Sequence, residues 1–460
     1  MWFILSIFAP FFSYSIPIYI NIMELTMILL FIVGYLAIAF EHILKINKAA
    51  VSIFMAAVIW VCYALLNPQE APVQVLSQLG EVSSIVLFLF GAMIVVELVD
   101  SHGGFALVAH LIKAKNRKVL LVIVSLLTFF MSATLDNMTS TIIMIAIMFK
   151  LIQDPTVRLW FASIIVLAAN AGGVWSPIGD VTTIMLWVKG NVTAEALIPH
   201  LILPSIVSLV VPLLLVIGKI KGNALDDPNA GEFEEGERMY PQITRTDKFL
   251  ISATGVLGLV SVPVFKALTG LPPCMGVLLV LGLLWLLTEI IYSKNKDISE
   301  SKKLRISKVI KVVDIPTVMF FFGILMAVGA LQERGLLQAL SDYLNSLTQN
   351  TYLVTGVIGV LSSVIDNVPL VAAAMGMYPL ADPALVEAGS YAAEFVQNGT
   401  FWELLAYCAG VGGSLLIIGS AAGVVAMGMG KISFGWYFKN ITWRAFLGYI
   451  AGMAVYMLMF

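Results

Sequence analysis

Residues 132–141 read S-A-T-L-D-N-M-T-S-T, and residues 362–371 read S-S-V-I-D-N-V-P-L-V. Each stretch places an Asp-Asn pair, beginning at Asp136 or Asp366, in the middle of a long apolar run. An ionised Asp at the centre of a bilayer costs roughly 2.5 to 3.5 kcal/mol even on the most lenient insertion scale. A chain that carries this cost twice, in nearly the same local sequence, is expected to use both carboxylates.

The composition of the whole chain predicts a polytopic α-helical membrane protein. Of its 460 residues, 60% are hydrophobic and 12% are charged, whereas a soluble domain carries about 25% charged residues. Apolar runs long enough to cross a hydrocarbon core of about 30 Å recur along the chain. The sequence has no basic, aromatic-interleaved stretch that would indicate nucleic-acid binding. Its three cysteines all lie in apolar runs, as small buried side chains do.

The apolar runs divide into two halves. Residues 1–22 form an apolar N-terminal segment that is either a first spanning helix or translated upstream sequence, since Met23 is a plausible start. The first half, 23–218, contains an interrupted run at 118–151 and a second interrupted run at 157–190. The second half, 248–460, contains the same two features at 351–378 and 401–430. Uninterrupted spans are predicted at 23–40, 48–66, 83–98, 198–218, 248–266, 274–292, 314–331 and 441–460, with short amphipathic pieces up to residue 112 and at 335–345.

Residues 219–247 form the only long hydrophilic stretch, which is rich in Asp and Glu with Pro and Gly between them. This composition favours a solvated cytoplasmic linker between the halves over a regulatory ion sensor.

The two halves repeat one another. Phe90-Gly91 aligns with Phe322-Gly323, the two Asp-Asn pairs align, and residues 172–179 align with 412–419 at identical internal spacing. An internal duplication explains this agreement better than chance.

The distribution of basic residues predicts how the repeats lie in the membrane. Lys and Arg cluster at 45–48, 113–118, 150–158, 219–248, 294–311 and 431–444. The positive-inside rule places these clusters in the cytoplasm. That assignment requires 118–151 to be a re-entrant hairpin that enters and leaves on the cytoplasmic side. By the same reasoning, 351–378 is a re-entrant hairpin that enters and leaves on the outside. Each half then has five crossings and one hairpin, so the repeats are inverted, and about eleven crossings are predicted when residues 2–20 are counted.

Four interruptions at membrane depth, two hairpin tips and two unwound spans, are expected to converge on one binding site. Non-helical backbone is tolerated there only where protein or water satisfies its polar groups. The side chains predicted to line the site are Asp136, Asn137, Asp366, Asn367, Asp180, Asn170, Thr134, Ser132, Ser362, Ser176, Thr182 and Ser420.

The chemistry of these side chains favours a small cation. No Arg or Lys is expected near these positions, so an anionic substrate would face like charge without a counter-ion. Na⁺ suits an oxygen-rich site, and Asp136, Asp366 and Asp180 are the predicted Na⁺ ligands. The same carboxylates can instead take a proton. One site that accepts either Na⁺ or H⁺ is by itself an exchange mechanism, and it needs no resident cofactor.

Other interpretations stay open. An Asp at a helix break can simply cap the next half-helix, as Asp180 before Thr182 would do. The small hydroxyl residues also serve helix packing. An intramembrane enzyme is disfavoured because Pro177-Ile178-Gly179-Asp180 lacks the first Gly of a G-x-G-D motif and no H-E-x-x-H sequence occurs. A channel is disfavoured because a titratable site between inverted hairpins suits alternating access.

The stretch A-N-A-G-G-V-W-S-P-I-G-D-V-T-T at 169–183, together with the two Asp-Asn tips, resembles the NhaD family of bacterial sodium/proton antiporters. The resemblance covers about residues 23–460. It implies exchange of Na⁺ or Li⁺ for H⁺, with Asp136, Asn137, Asp180, Thr182, Asp366 and Asn367 at the family's polar positions. Its superfamily also includes dicarboxylate and arsenite carriers, so an organic-anion or arsenite carrier is the alternative.

The resemblance further implies a homodimer in the bacterial plasma membrane with a role in pH homeostasis. It implies that scaffold helices surround a transport unit that slides like an elevator and comprises about 118–218 and 351–460. Its partners would be small inorganic cations, protons and the lipid bilayer.

Overall fold

The regular elements of the described chain are all helices. The computed structural model describes residues 22–39, 41–104, 116–220, 243–295, 299, 303–387 and 389–460. The longer helices are α1 Ile22–Ala39, α2 Lys48–Leu66, α3 Ala71–Ser101, α4 Arg117–Leu135, α5 Asn137–Leu151, α6 Pro155–Gly173, α7 Val181–Val188, α8 Ala194–Ile217, α9 Arg245–Thr269, α10 Pro273–Lys294, α11 Ile315–Glu333, α12 Leu336–Leu347, α13 Thr351–Leu361, α14 Asn367–Met377, α15 Thr400–Gly412, α16 Ala421–Gly430 and α17 Trp443–Met459.

Three predicted features lie wholly or mostly outside the described residues. They are residues 1–21 of the N-terminal segment, the first amphipathic piece and most of the acidic linker. The second amphipathic piece is confirmed as α12.

Nine helices in the described ranges are long and apolar enough to cross a membrane. They are α2, α3, α4, α6, α8, α9, α10, α11 and a C-terminal helix that runs from Phe434 to Met459. The chain is therefore a multi-pass α-helical membrane protein.

Helix α3 is longer than the span predicted at 83–98. It begins at Ala71 with a Pro in its first turn and has 31 residues. The prediction stopped short because Gln78 and Glu81 lower the hydropathy of its N-terminal half. Gln78 is nevertheless buried at 8% exposure, and a Cβ at Gly329 of α11 would lie 2.3 Å from its amide carbon. Gln78 in the polar part of α3 thus packs against α11.

The helices are interrupted where the sequence predicted. Helix α4 ends at Leu135 and α5 begins at Asn137, while α6 ends at Gly173 and α7 begins at Val181. The second half repeats both breaks, between α13 and α14 and between α15 and α16. Each break leaves free backbone carbonyls on one side and free N–H groups on the other.

The packing of helices also occurs twice. Helix α2 packs against α11, and α10 packs against α3 in the same way with the halves exchanged. Likewise α4 packs on α6 and α13 on α15, while α5 contacts α16 and α14 contacts α7. The interrupted helices of both halves therefore meet in the middle of the protein.

Candidate functional site

The first tip is a single residue, Asp136, which ends α4 and caps α5. Its Oδ1 accepts a hydrogen bond from the Thr139 backbone N–H and its Oδ2 one from the Thr139 hydroxyl, both at 2.8 Å. Its backbone has φ 73° and ψ 159°, a conformation that is essentially restricted to glycine and costs about 1–3 kcal/mol. Strain of this size persists only where the surroundings enforce it.

Asp180 lies at the break between α6 and α7, where it caps α7 and also accepts a hydrogen bond from the first tip. Its Oδ1 accepts from the backbone N–H and the hydroxyl of Thr182, each at 2.9 Å, so it caps α7. Its Oδ2 accepts from the Asn137 side-chain amide at 2.6 Å. A cap needs only the first oxygen, so the second joins the unwound span to the first tip.

A chain of side-chain hydrogen bonds continues from Asp180 into the second half. The Asn137 amide also donates to Asn170 Oδ1 at 3.0 Å, and the Asn170 amide donates to the Ser420 hydroxyl at 2.9 Å. All four side chains are at most 8% exposed. Because Ser420 caps α16, this central network (Asp180, Asn137, Asn170 and Ser420) connects three of the four breaks.

The two halves contribute unequally to the central network. Asp180 and Ser420 hold matching positions in the repeat, as do Asn170 and Gly410. A Cβ added at Gly410 would lie 3.9 Å from Asp180 Oδ2. The second half thus offers a hydroxyl, and a glycine against which Val174 packs, where the first half offers a carboxylate and an amide.

The tips are held against the unwound spans by the same contacts in both halves. The Ser132 hydroxyl donates to the Ala169 carbonyl at 2.5 Å, and Ser362 donates to Ala409 at 2.7 Å. In the other contact, the tip backbone approaches a glycine of the unwound span. A Cβ added at Gly172 would lie 2.1 Å from the Phe129 carbonyl oxygen, and a Cβ added at Gly412 would lie 2.0 Å from the Gly359 carbonyl oxygen. The Ser132 and Ser362 hydroxyls thus connect each tip to the unwound span of its own half.

The second tip contradicts the prediction that no basic residue lies near the carboxylates. The Lys48 ammonium lies 3.2 Å from Asp366 Oδ2, while Oδ1 accepts from the Val368 backbone N–H at 3.3 Å. Lys48 is 318 residues away in sequence and belongs to a cluster interpreted only as an orientation signal. The fold brings it to the tip because α2 and α14 both pack on α11.

The three carboxylates share one electrostatic region. The charges of Asp366 and Asp136 both act on Asp180. Among the side chains that the structure describes, no three His, Cys, Asp or Glu lie close enough together to hold one metal ion. A cation in this region would therefore draw its remaining oxygens from amides, hydroxyls and free carbonyls at the breaks.

The other predicted residues have local roles or lie beside the tips. The Thr134 hydroxyl donates to the Met131 carbonyl of its own helix at 3.0 Å, and the Ser176 hydroxyl accepts from the Ile178 N–H at 3.3 Å. Asn367 is buried next to Asp366. Sequence reasoning missed Lys48, for which no local signal exists. It also missed Thr139, whose place three residues after a capping Asp was a readable signal.

Comparisons with known proteins now decide the family. The model of the family described as "Citrate transporter" matches residues 28–393. "Sodium/proton antiporter 1" of Arabidopsis thaliana is 44% identical over 438 residues, which cover 94% of this chain and 72% of the relative. "Na(+)/H(+) antiporter NhaD" of Vibrio cholerae is 30% identical over 464 residues, which cover 94% and 91%. The chain belongs to the NhaD-type family of sodium/proton antiporters.

The resemblance to NhaD antiporters noted in the sequence is thereby confirmed. The NhaD-type relatives are transporters, as predicted, and not enzymes. The carrier alternative is not favoured, because the relatives that span almost the whole chain are named as sodium/proton antiporters. Since relatives occur in a plant as well as in bacteria, the bacterial plasma membrane stays a prediction for this NhaD-type chain.

Proposed function

We propose that this chain exchanges Na⁺ or Li⁺ for H⁺ by alternating access, with the cation and the proton competing for Asp136, Asp180 and Asp366. The observation that carries the proposal is the central network, in which Asn137 links the carboxylate of one unwound span to the first tip and Asn170 reaches the other span. A buried carboxylate among neutral donors is stable when protonated or when a cation occupies it.

The breaks supply what such a site needs. Free carbonyls at the ends of α6 and α15 and the side chains of Asn170 and Ser420 offer neutral oxygens, which hard monovalent cations accept. A bound Na⁺ neutralises the carboxylate charge that a proton otherwise neutralises. Occupancy by one therefore excludes the other, and each transport cycle carries Na⁺ one way and H⁺ the opposite way.

The proposed architecture is a pair of inverted repeats, 23–218 and 248–460, joined by the cytoplasmic linker 219–247. The duplicated packing of α2 on α11 and α10 on α3 supports a two-fold relation, and the distribution of Lys and Arg supports inversion. The tips and unwound spans would move together as the transport unit. The family resemblance supports assembly of the chain as a homodimer.

The experiment is dequenching of a pH-sensitive dye in everted vesicles from a host that lacks its own antiporters. Na⁺ and Li⁺ are expected to cause dequenching with the wild type. Asp136→Asn and Asp180→Asn are expected to abolish it, since neither carboxamide can carry the exchanged charge. Asp382→Asn is the control, because Asp382 is an exposed loop carboxylate.

Full exchange by both site variants would refute the assignment of the carboxylates. Citrate is included as an added substrate, since the matching family model carries that description. A flux that answers to citrate and not to Na⁺ or Li⁺ would refute the antiporter proposal itself.

A further inference from the structure

The three carboxylates of the proposed site differ in the charge of their hydrogen-bond donors. Asp136 accepts from Thr139, and Asp180 accepts from Thr182 and Asn137, all of which are neutral. Of these three carboxylates, only Asp366 forms an ion pair within the described part of the chain, and its partner is the Lys48 ammonium.

The Lys48–Asp366 pair joins the proposed scaffold to the proposed transport unit. Lys48 is the first residue of α2, whose N-cap Asn47 holds the first turn by accepting from the Ala49 N–H. Asp366 caps α14 of the second tip. Both side chains are about a quarter exposed, at 26% and 22%. The pair is therefore only partly covered by protein, and it joins two units that are proposed to move relative to each other.

The surroundings of the pair hold the ammonium at this position. The Lys48 ammonium lies over the Phe320 ring, 4.5 Å from its centroid, which is an attractive cation–π contact. Glu41 accepts from the Lys48 backbone N–H at 3.2 Å. Asp366 also interacts electrostatically with Asp180 and with the buried hydroxyl of Tyr35.

We propose that the Lys48 ammonium is the resident counter-ion of Asp366 and that the transported Na⁺ must displace it. A second cation beside the ammonium would be repelled by it at the effective dielectric of a protein surface, so Na⁺ is expected to replace the ammonium at Asp366 and not to join it. Na⁺ entry at Asp366 thus separates the second tip from the start of α2. This inference rests on the proposed function, because it takes Asp366 to be a carboxylate of the exchange site.

The displacement has a kinetic consequence that a structural ion pair lacks. If Lys48 competes with Na⁺, its neutralisation removes the competitor and lowers the KM for Na⁺. If Lys48 only fixes the position of Asp366, its neutralisation raises the KM or lowers Vmax. We expect Lys48→Gln to lower the KM about fivefold, the factor that corresponds to about 1 kcal/mol for a partly exposed ion pair.

The experiment measures KM and Vmax for Na⁺ at one fixed pH in the same everted vesicles. Added Na⁺ reaches the cytoplasmic face there, the face on which Lys48 is predicted to lie. Lys48→Arg keeps the cation and is expected to keep the wild-type KM. Lys189→Gln is the control. The Lys189 ammonium lies 2.5 Å from Glu81, and its side chain is 28% exposed, close to the 26% of Lys48. Glu81 is not a carboxylate of the proposed site, so the loss of this cation is expected not to lower the KM.

A lower KM in Lys48→Gln with a wild-type KM in Lys48→Arg supports the proposal. An unchanged or higher KM in Lys48→Gln overturns it, and so does an equal fall of the KM in Lys189→Gln. If Lys48→Gln does not accumulate in the membrane, Lys48→Cys is modified with an aminoethyl thiosulfonate, which restores a positive charge. The KM must then rise on modification, and a KM that does not rise overturns the proposal.

The failure of the proposed function is distinguishable from the failure of this inference. Asp136→Asn and Asp180→Asn test the exchange site without involving Lys48. Loss of exchange in both, together with an unchanged KM in Lys48→Gln, would leave the site in place and remove only the role of Lys48 as a competitor.

Discussion

Gly172→Ala tests whether the close approach of the first tip to its unwound span is needed for exchange. The added Cβ would lie 2.1 Å from the Phe129 carbonyl oxygen, whereas even close carbon–oxygen contacts are about 3.3 Å. The oxygen belongs to the backbone, so no rotamer relieves the clash and α4 must withdraw by about 1 Å.

The size of the effect follows from the geometry at the end of α4. Phe129 lies two helical turns before the tip, and Asn137 follows the tip directly. A withdrawal of about 1 Å would stretch the 2.6 Å bond from Asn137 to Asp180 beyond hydrogen-bond range. Hydrogen bonds to charged groups contribute about 1.5–3 kcal/mol, so we expect the apparent affinity for Na⁺ to fall at least about tenfold.

The assay combines Na⁺-dependent dye dequenching with the apparent melting temperature of the purified protein. Gly412→Ala should behave alike, since its Cβ would lie 2.0 Å from the Gly359 carbonyl oxygen. Gly282→Ala is the matched control in a spanning helix, because nothing lies within 4 Å of a Cβ at that position. Wild-type KM and melting temperature in Gly172→Ala would refute the reasoning.

Three further outcomes follow from the same geometry. Asp136→Gly and Asp136→Ala should both lose exchange. The glycine variant should have the higher melting temperature, because glycine relieves backbone strain of about 1–3 kcal/mol that alanine retains. Equal melting temperatures would contradict the strain at Asp136. Asn137→Ala should weaken Na⁺ affinity without lowering the amount of protein in the membrane, as measured by dequenching titrations and immunoblots. Ser132→Ala should lose about 1 kcal/mol of stability yet keep more than half of the exchange rate, and complete loss of exchange would instead make the hydroxyl a ligand.

The breaks were predictable because their residues are unfavourable inside a membrane-spanning helix. An Asp-Asn pair in an apolar run and a Gly-Gly…Pro-x-Gly series leave few alternatives to an interrupted helix. The helix ends at Leu135, Gly173 and Gly412 lie where the sequence placed them.

Other properties depend on contacts between distant segments and were beyond sequence reasoning. The two tips look equivalent in sequence, yet Asp136 has φ 73° and Asp366 has φ −47°. Lys48 reaches Asp366 only after α2 and α14 have packed on α11. Hydropathy likewise underestimated α3, since Gln78 is polar but packs against protein.

The difference between the carboxylate of Asp180 and the hydroxyl of Ser420 at matching positions has a consequence for the free energy of membrane insertion. An exact copy of the first half would carry an acid in place of Ser420, whose hydroxyl accepts from Asn170 in the central network. A fourth buried negative charge would add roughly 2.5 to 3.5 kcal/mol to the free energy of membrane insertion. Ser420 caps its helix as Asp180 does, so both halves cap the helix at this position while the first half alone carries an acid there.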